Sequence, residues 1–319
     1  MTQIEAINAF LIPSTPLLDV RSPSEFLQGH IPGAVSFPLF TDEERTQVGT
    51  IYKKQGKDAA VKLGLHFVGP KLSFFIKQAE GLASRQKTLR LYCARGGMRS
   101  SSLAWLLETA GFSTMLLKGG YKEFRNWTLN QFKLDYIFNV LGGLTGSGKT
   151  EKLHELEQKK EQIIDLEKLA CHKGSSFGHL GNPGQQPSTE HFENLLAHDL
   201  SKLNIKAPIW IEDESRMIGH CHIPLDLWNK MGQSRFVWVE CSKEERIDRL
   251  LKIYGNYPKH GMIEATQRLC KKLGTVRTKQ AIQCILDNDL KGAILMLLDY
   301  YDQAYTYFCK RRTQNGVIA

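Results

Sequence analysis

Short apolar runs, each closed by a glycine or a polar cap, set the rhythm of this chain. Pro16-Leu17-Leu18-Asp19-Val20-Arg21 reads as a short buried strand. Ser22-Pro23-Ser24-Glu25-Phe26 then starts a helix: Ser22 caps it, Pro23 fits its first position and Glu25 closes a capping box. Residues 29–34 break that helix, and Val35-Ser36-Phe37-Pro38 is a second short strand. Thr88-Leu89-Arg90-Leu91-Tyr92 is the next strand, and residues 101–108 carry a helical pattern after it.

A second unit begins at Gln131. Its strands are expected at residues 136–141, 162–165, 207–213 and 235–240. Helices are expected at 151–157, from a Ser188/Thr189 cap to about Leu203, and at 244–254 behind the capping box Ser242-Lys-Glu-Glu245. Residues 262–312 are helical by period, with Leu269, Leu273, Ile282, Ile285, Leu290, Ile294, Leu297 and Leu298 on apolar faces. Residues 171–187 read as loop, and Gly174-Ser-Ser-Phe-Gly178-His179 within it either closes over a ligand or is an ordinary exposed turn. Strands alternating with helices predict an α/β protein with parallel sheets.

At 319 residues the chain is long enough for two domains. A net charge of +9 and a pI near 9.1 favour a polyanionic partner, either nucleic acid or phosphorylated substrates. Seven cysteines without a CxxC pair argue against a disulfide framework and for a reducing, cytoplasmic setting. His220-Cys221-His222 lacks a second ligand pair at a matching distance, so no metal site is expected. The first residues do not form a secretory signal, no apolar run reaches the roughly 20 residues of a membrane span, and no repeat or low-complexity tail is present.

Two glycine loops carry the chemistry. The first is Cys93-Ala-Arg-Gly-Gly-Met-Arg99-Ser100, between a strand and a helix. Its backbone amides and the helix N-terminus converge on one point, which suits an anion and lowers the thiol pKa. Cys93 is the candidate nucleophile, with Arg95, Gly96, Gly97, Met98 and Arg99 as the anion-binding rim. The second is Gly143-Leu144-Thr145-Gly146-Ser147-Gly148-Lys149-Thr150, a P-loop in its required strand–loop–helix context. Its amides wrap a diphosphate, Lys149 neutralises the charge, and the Thr150 hydroxyl can hold magnesium. Asp213 ends the 207–213 strand as the candidate Walker B carboxylate; an ion pair of these acids with Arg216 is the competing reading. Arg246, Arg249 and Lys252 could meet phosphates, but read by default as a solvated helix face. Lys53, Lys54, Lys57 and Lys62 read as a solvated helical insert or a tRNA contact. Lys271-Lys272, Arg277, Lys279 and Lys310-Arg311-Arg312, with Tyr300, Tyr301, Tyr305 and Tyr307, suit RNA, although bundle packing accounts for most of the tyrosines.

Asp19-Val-Arg21, Glu25-Phe26 and Gly29-His30-Ile31-Pro32-Gly33-Ala34, followed by Cys93-x5-Arg99, resemble the rhodanese-like domain over residues 4–130. Gly111-Phe112 and Leu117-Lys-Gly-Gly-Tyr121 resemble that domain's final strand and helix. The Cys93 loop is one residue longer than in sulfur-transferring rhodaneses and has the length used by cysteine-dependent phosphatases, so it should fit a tetrahedral oxyanion. These segments, the P-loop and Ile211-Glu-Asp-Glu-Ser-Arg216-Met-Ile-Gly219 together resemble the tRNA 2-selenouridine synthase family over essentially the full length.

That resemblance implies a rhodanese-like α/β domain at 1–130 and a P-loop NTPase-like parallel-sheet domain with C-terminal helices at 131–319. It implies that the sulfur of wobble 2-thiouridine in tRNA is replaced by selenium from selenophosphate, through an S-geranyl intermediate made from geranyl diphosphate. The Cys93 loop would then take selenophosphate, and the P-loop the diphosphate rather than ATP. No tightly bound cofactor is implied, and magnesium use stays open. The rival readings are a cysteine-dependent phosphatase fused to a kinase-like P-loop domain, and a non-catalytic RNA-binding scaffold.

Overall fold

The computed structural model describes residues 2–12, 14–83, 87–181 and 184–313, with side chains described up to residue 306. The side chains of Tyr307, Lys310, Arg311 and Arg312, which belong to the last basic cluster, lie outside the described ones. The chain forms two compact units, Met1–Gln131 and Phe132–Ala319.

The first unit opens with β1 (Gln3–Glu5), α1 (Ile7–Leu11), β2 (Leu17–Asp19), α2 (Pro23–Gln28) and β3 (Val35–Ser36). It continues through α3 (Asp42–Gln55), α4 (Lys57–Val68), α5 (Leu72–Leu82), β4 (Thr88–Tyr92), α6 (Met98–Thr109), β5 (Ser113–Leu117) and α7 (Gly120–Gln131). The strands form one parallel sheet in the order β1-β5-β4-β2-β3. Helices cover both faces, so β2 and most of β4 are buried instead of alternating between core and solvent. On β4, Leu89 and Leu91 join Cys93 in the larger core with Leu103 and Leu107, while Tyr92 joins Phe10, Tyr121 and Phe124 on the other face.

Asp19 and Arg21 make a buried ion pair at 2.6 Å. Arg21 also donates to Gly29 O and stacks 3.7 Å from the Tyr121 ring centroid, and the Tyr92 hydroxyl donates to Asp19. Both oxygens of the Asp19 carboxylate, and Nε and Nη2 of Arg21, thus have partners, which is what makes a buried charge tolerable. The network pins the 29–31 turn against β4. Residues 40–70 are a helical hairpin: α3 buries no residue, and Lys53, Lys54, Lys57 and Lys62 are exposed. One helical stretch reaches the length of a membrane span. Lys57–Leu82 is helical over 26 residues, and one 18-residue window of it is apolar enough by composition to span a bilayer. A 3-10 turn at Gly69–Lys71 interrupts it, and α5 packs Phe75 and Ala79 into the larger core.

The second unit runs β6 (Phe138–Gly142), α8 (Lys149–Gln158), β7 (Gln162–Ile164), α9 (Leu166–Ala170), α10 (Thr189–Leu200) and β8 (Ile209–Glu212). A short hairpin follows, β9 (Met217–Ile218) and β10 (Cys221–His222), then α11 (Leu225–Gln233), β11 (Arg235–Trp238) and α12 (Lys243–Tyr254). It ends in α13 (Lys259–Arg268), α14 (Cys270–Leu273), α15 (Thr275–Leu286) and α16 (Leu290–Thr313). The parallel sheet has the order β11-β6-β8-β7. The P-loop therefore leaves the carboxyl end of an inner, fully buried strand where the chain crosses from one side of the sheet to the other, the usual ligand position in open α/β sheets. Met262, Leu269, Leu273, Ile285 and Leu297 form the core of the helical end, joined by Phe177 and Leu180 from the 171–187 loop. Ile247, Leu250, Ile294 and Leu298 fasten α12 to α16.

Candidate functional site: two anion cups

The first cup sits where β4 gives way to α6. Cys93 is only 3% exposed. Its sulfur accepts from Gly97 N at 3.2 Å and from the Ser100 hydroxyl at 3.2 Å, and Gly97 is the N-cap of α6. Burial pushes the thiol pKa up. The Ser100 hydroxyl and the amides of Ser100, Arg95 and Gly97 outweigh it, leaving the thiol below its ordinary value. Gly120 stands at φ +62°, and a Cβ there would collide with Cys93 O and Gly96 N. This close approach lets Tyr121 N and Lys122 N donate to Cys93 O and Ala94 O, tying the start of α7 under the loop.

The rim residues divide. Arg95, Gly96, Gly97 and Met98 are exposed. Arg99, in the first turn of α6, is held by Glu25 through two contacts, Nη1–Oε2 at 2.6 Å and Nη2–Oε1 at 3.2 Å. Glu25 also closes the capping box of α2 by accepting from Ser22 N. Burial raises the Glu25 pKa, but the Arg99 guanidinium, Ser22 N and Arg45 hold it below the usual carboxylate range. The sequence identified Glu25 only as a cap; its hold on Arg99, 74 residues away, left no local signal.

In the second cup, residues 143–148 wrap from β6 to α8, with Gly148 in the left-handed region as the N-cap. The Lys149 ammonium donates to Gly143 O at 3.1 Å, and the Thr150 hydroxyl to Glu167 Oε2 at 3.3 Å. Asp213 is 4% exposed and accepts from the Tyr305 hydroxyl at 2.7 Å. Beside it, Glu212 is 1% exposed, with both carboxyl oxygens lacking a hydrogen-bond partner among the described residues. Burial, then the charges of Glu167 and Asp165, pushes Glu212 up to about 8. Burial, then Glu214 and Asp165, does the same to Glu167.

Arg246 and Arg249 are not a solvated face. Arg246 is buried, donates through Nε to Thr145 O at 2.8 Å and pairs through both Nη atoms with Asp302. Arg249 donates to Gly146 O at 2.7 Å and to Glu151. The P-loop carbonyls have few helical or sheet partners, and α12 supplies donors to them. Lys252 is exposed as expected.

A cavity of about 510 Å³ opens at this cup, within the range of small-molecule sites. Lys149, Thr150, Lys173, Ser175 and Asp213 line its polar part; Leu250, Ile253 and Tyr254 of α12 and Tyr300, Tyr301 and Tyr305 of α16 line the rest. Residues 173–175 therefore face a cavity rather than open solvent, while Phe177 packs away into the helical core. Tyr300 and Tyr301 pack against the helical core, as expected for most of the tyrosines, and also line the site with Tyr305. Burial raises Tyr254 to about 12 and Tyr301 further, so both stay neutral phenols. An apolar recess of about 40 Å³ borders the cavity at Thr145, Leu250, Tyr254 and Tyr301 and is walled by Met262, Ile285, Ile294 and Leu297.

A rhodanese-like domain model matches residues 4–126, and a model described as the tRNA 2-selenouridine synthase AAA domain matches 137–319. The tRNA 2-selenouridine synthase of Cupriavidus pinatubonensis JMP 134 is 41% identical over 96% of this chain and 92% of its own. That of Pseudomonas putida W619 is 36% identical over 93% of this chain and 89% of its own. That of Nitrosomonas europaea is 39% identical over 79% of this chain, a match spanning 66% of the relative's length. Both domains are matched in order and the P. putida and C. pinatubonensis relatives align along most of both chains, so this chain belongs to the tRNA 2-selenouridine synthase family, a rhodanese-like domain joined to that family's P-loop domain.

Proposed function

We propose that this chain replaces the sulfur of wobble 2-thiouridine in tRNA by selenium, using geranyl diphosphate at the P-loop and selenophosphate at the Cys93 loop. The observation that carries the reading is the P-loop cavity. Lys149, Lys173 and Arg249 line it among the acids Glu151, Glu167, Asp213 and Glu214; Lys149 and the P-loop amides suit a diphosphate, and the wall of Leu250, Ile253, Tyr254, Tyr300 and Tyr301 suits an apolar tail better than a ribose and base.

In the first step the thiouridine sulfur attacks C1 of the geranyl group. The C1–O bond breaks, its electron pair leaves on diphosphate, and the N3 proton of the base passes to solvent. Lys149 and the P-loop amides stabilise the departing charge. Alkylation turns the sulfur into a leaving group. In the second step selenium of selenophosphate adds at C2 of the base and geranyl thiol departs. Water then cleaves the Se–P bond to release phosphate. Arg95 and Arg99 hold the phosphate moiety, and the Cys93 sulfur at the floor of the same cup positions the donor for attack on C2.

The Thr150 hydroxyl and Asp213 line the cavity and are hard oxygen donors of the kind that hold magnesium together with phosphate oxygens. Among the described residues no three His, Cys, Asp or Glu side chains form a ready-made cage. Magnesium held there would offset the diphosphate charge.

Mass spectrometry of tRNA nucleosides tests the reading. Geranyl diphosphate alone should give S-geranyl-2-thiouridine, selenophosphate alone should leave 2-thiouridine unchanged, and the two together should give 2-selenouridine. Full conversion by selenophosphate alone would overturn the geranyl step.

A further inference from the structure

Tyr305 lies on the last helix, 162 residues from Gly143 and 92 from Asp213, and one hydroxyl joins both. It accepts from Gly143 N at 3.1 Å and donates to Asp213 Oδ2 at 2.7 Å. A phenol has one proton and free lone pairs, so the two bonds use it without conflict. The ring packs 6.0 Å from that of Trp238, and the Lys149 ammonium stands 5.9 Å from its centroid. One turn earlier on α16, Asp302 takes both Nη atoms of Arg246, whose Nε holds Thr145 O. The last helix thus grips the P-loop at its first residue and at its third.

We propose that Tyr305 is a positioning residue of the phosphate cup. Its hydroxyl fixes the first P-loop amide and the Asp213 carboxylate relative to each other, so the cup is shaped before the diphosphate arrives. Packing alone would be served by phenylalanine; the hydroxyl is placed on a backbone amide and a carboxylate of the cup itself. Without it, Gly143 N and the Asp213 carboxylate lose their shared partner, and the loop is tied to α16 only through the Asp302–Arg246–Thr145 link. The proposal rests on the reading of this cup as a diphosphate site.

The test compares the full-length chain with Tyr305→Phe, which keeps the ring contacts and removes only the hydroxyl. Calorimetry reads the Kd for inorganic diphosphate, a transfer assay reads KM and kcat for geranyl diphosphate, and thermal melting reports on the fold. Tyr305→Phe should melt with the wild type, bind diphosphate about tenfold more weakly, as expected for losing hydrogen bonds at a charged site, and show the loss in KM more than in kcat. Asp213→Asn should cost less in the Tyr305→Phe background than alone, because the two side chains act as one unit. Unchanged diphosphate affinity in Tyr305→Phe, or fully additive losses, would overturn the positioning role. A wild type that binds diphosphate but transfers no geranyl group would sink the geranyl reading and leave the Kd comparison standing. A wild type that binds no diphosphate would overturn both.

Discussion

Replacing Ser100 by alanine removes one of the hydrogen-bond donors that reach the Cys93 sulfur. The hydroxyl lies 3.2 Å from Sγ, and Gly97 N lies at the same distance. Burial works against the thiolate in this cup, so its charge depends on these donors. A hydrogen bond to a charged acceptor contributes about 1.5–3 kcal/mol, with a soft sulfur acceptor at the low end. Ser100→Ala should therefore raise the Cys93 pKa. At any pH well below the midpoint the thiolate fraction, and with it the alkylation rate, should then fall about tenfold. The assay is the pH dependence of Cys93 alkylation by iodoacetamide, followed by peptide mass spectrometry. Ser100 also donates to Gly97 O, so a melting curve must accompany the comparison. An alkylation midpoint that stays in place or moves down would refute the account of how the cup holds its thiolate.

Glu25→Gln should keep the capping box, because an amide oxygen still accepts from Ser22 N, yet release the Arg99 guanidinium from its charged partner. KM for selenophosphate should rise several-fold with little change in geranyl transfer; equal losses in both would show that the pair supports only the fold. Glu212 and Glu167 carry folded-state pKa values of about 8 against ordinary values of 4.5, so the folded chain holds extra protons between those limits. Stability of the unliganded chain should therefore fall as pH rises from about 4.5 to 8. Glu212→Gln should flatten that slope and raise the melting temperature at pH 8; a steeper slope in the variant would contradict the assignment.

The local devices of both cups were legible in the sequence because they are contiguous. A buried strand, a glycine loop and a helix start lie within about a dozen residues at Cys93 and again at Lys149. The capping boxes at Ser22 and Ser242 were legible for the same reason. The edge strand β1 was not: three residues with Ile4 exposed give no period to read. The hairpin β9–β10 escaped likewise, with two residues per strand. Charged side chains misled most. Arg246 looks like any cation on a polar helix face, and only the folded chain brings Thr145 O and Asp302 to it. Tyr305 reads as packing until α16 lies across the P-loop. What the sequence cannot encode locally is which distant carbonyl or carboxylate a long polar side chain will meet, and these contacts shape both sites.

The most direct test of the two-cup account is nucleoside mass spectrometry of 2-thiouridine tRNA treated with both geranyl diphosphate and selenophosphate, comparing Cys93→Ser with Lys149→Ala. Cys93→Ser should accumulate S-geranyl-2-thiouridine and make no 2-selenouridine, while Lys149→Ala should leave most of the 2-thiouridine unalkylated. Full-level 2-selenouridine from Cys93→Ser, or normal geranyl transfer by Lys149→Ala, would contradict it.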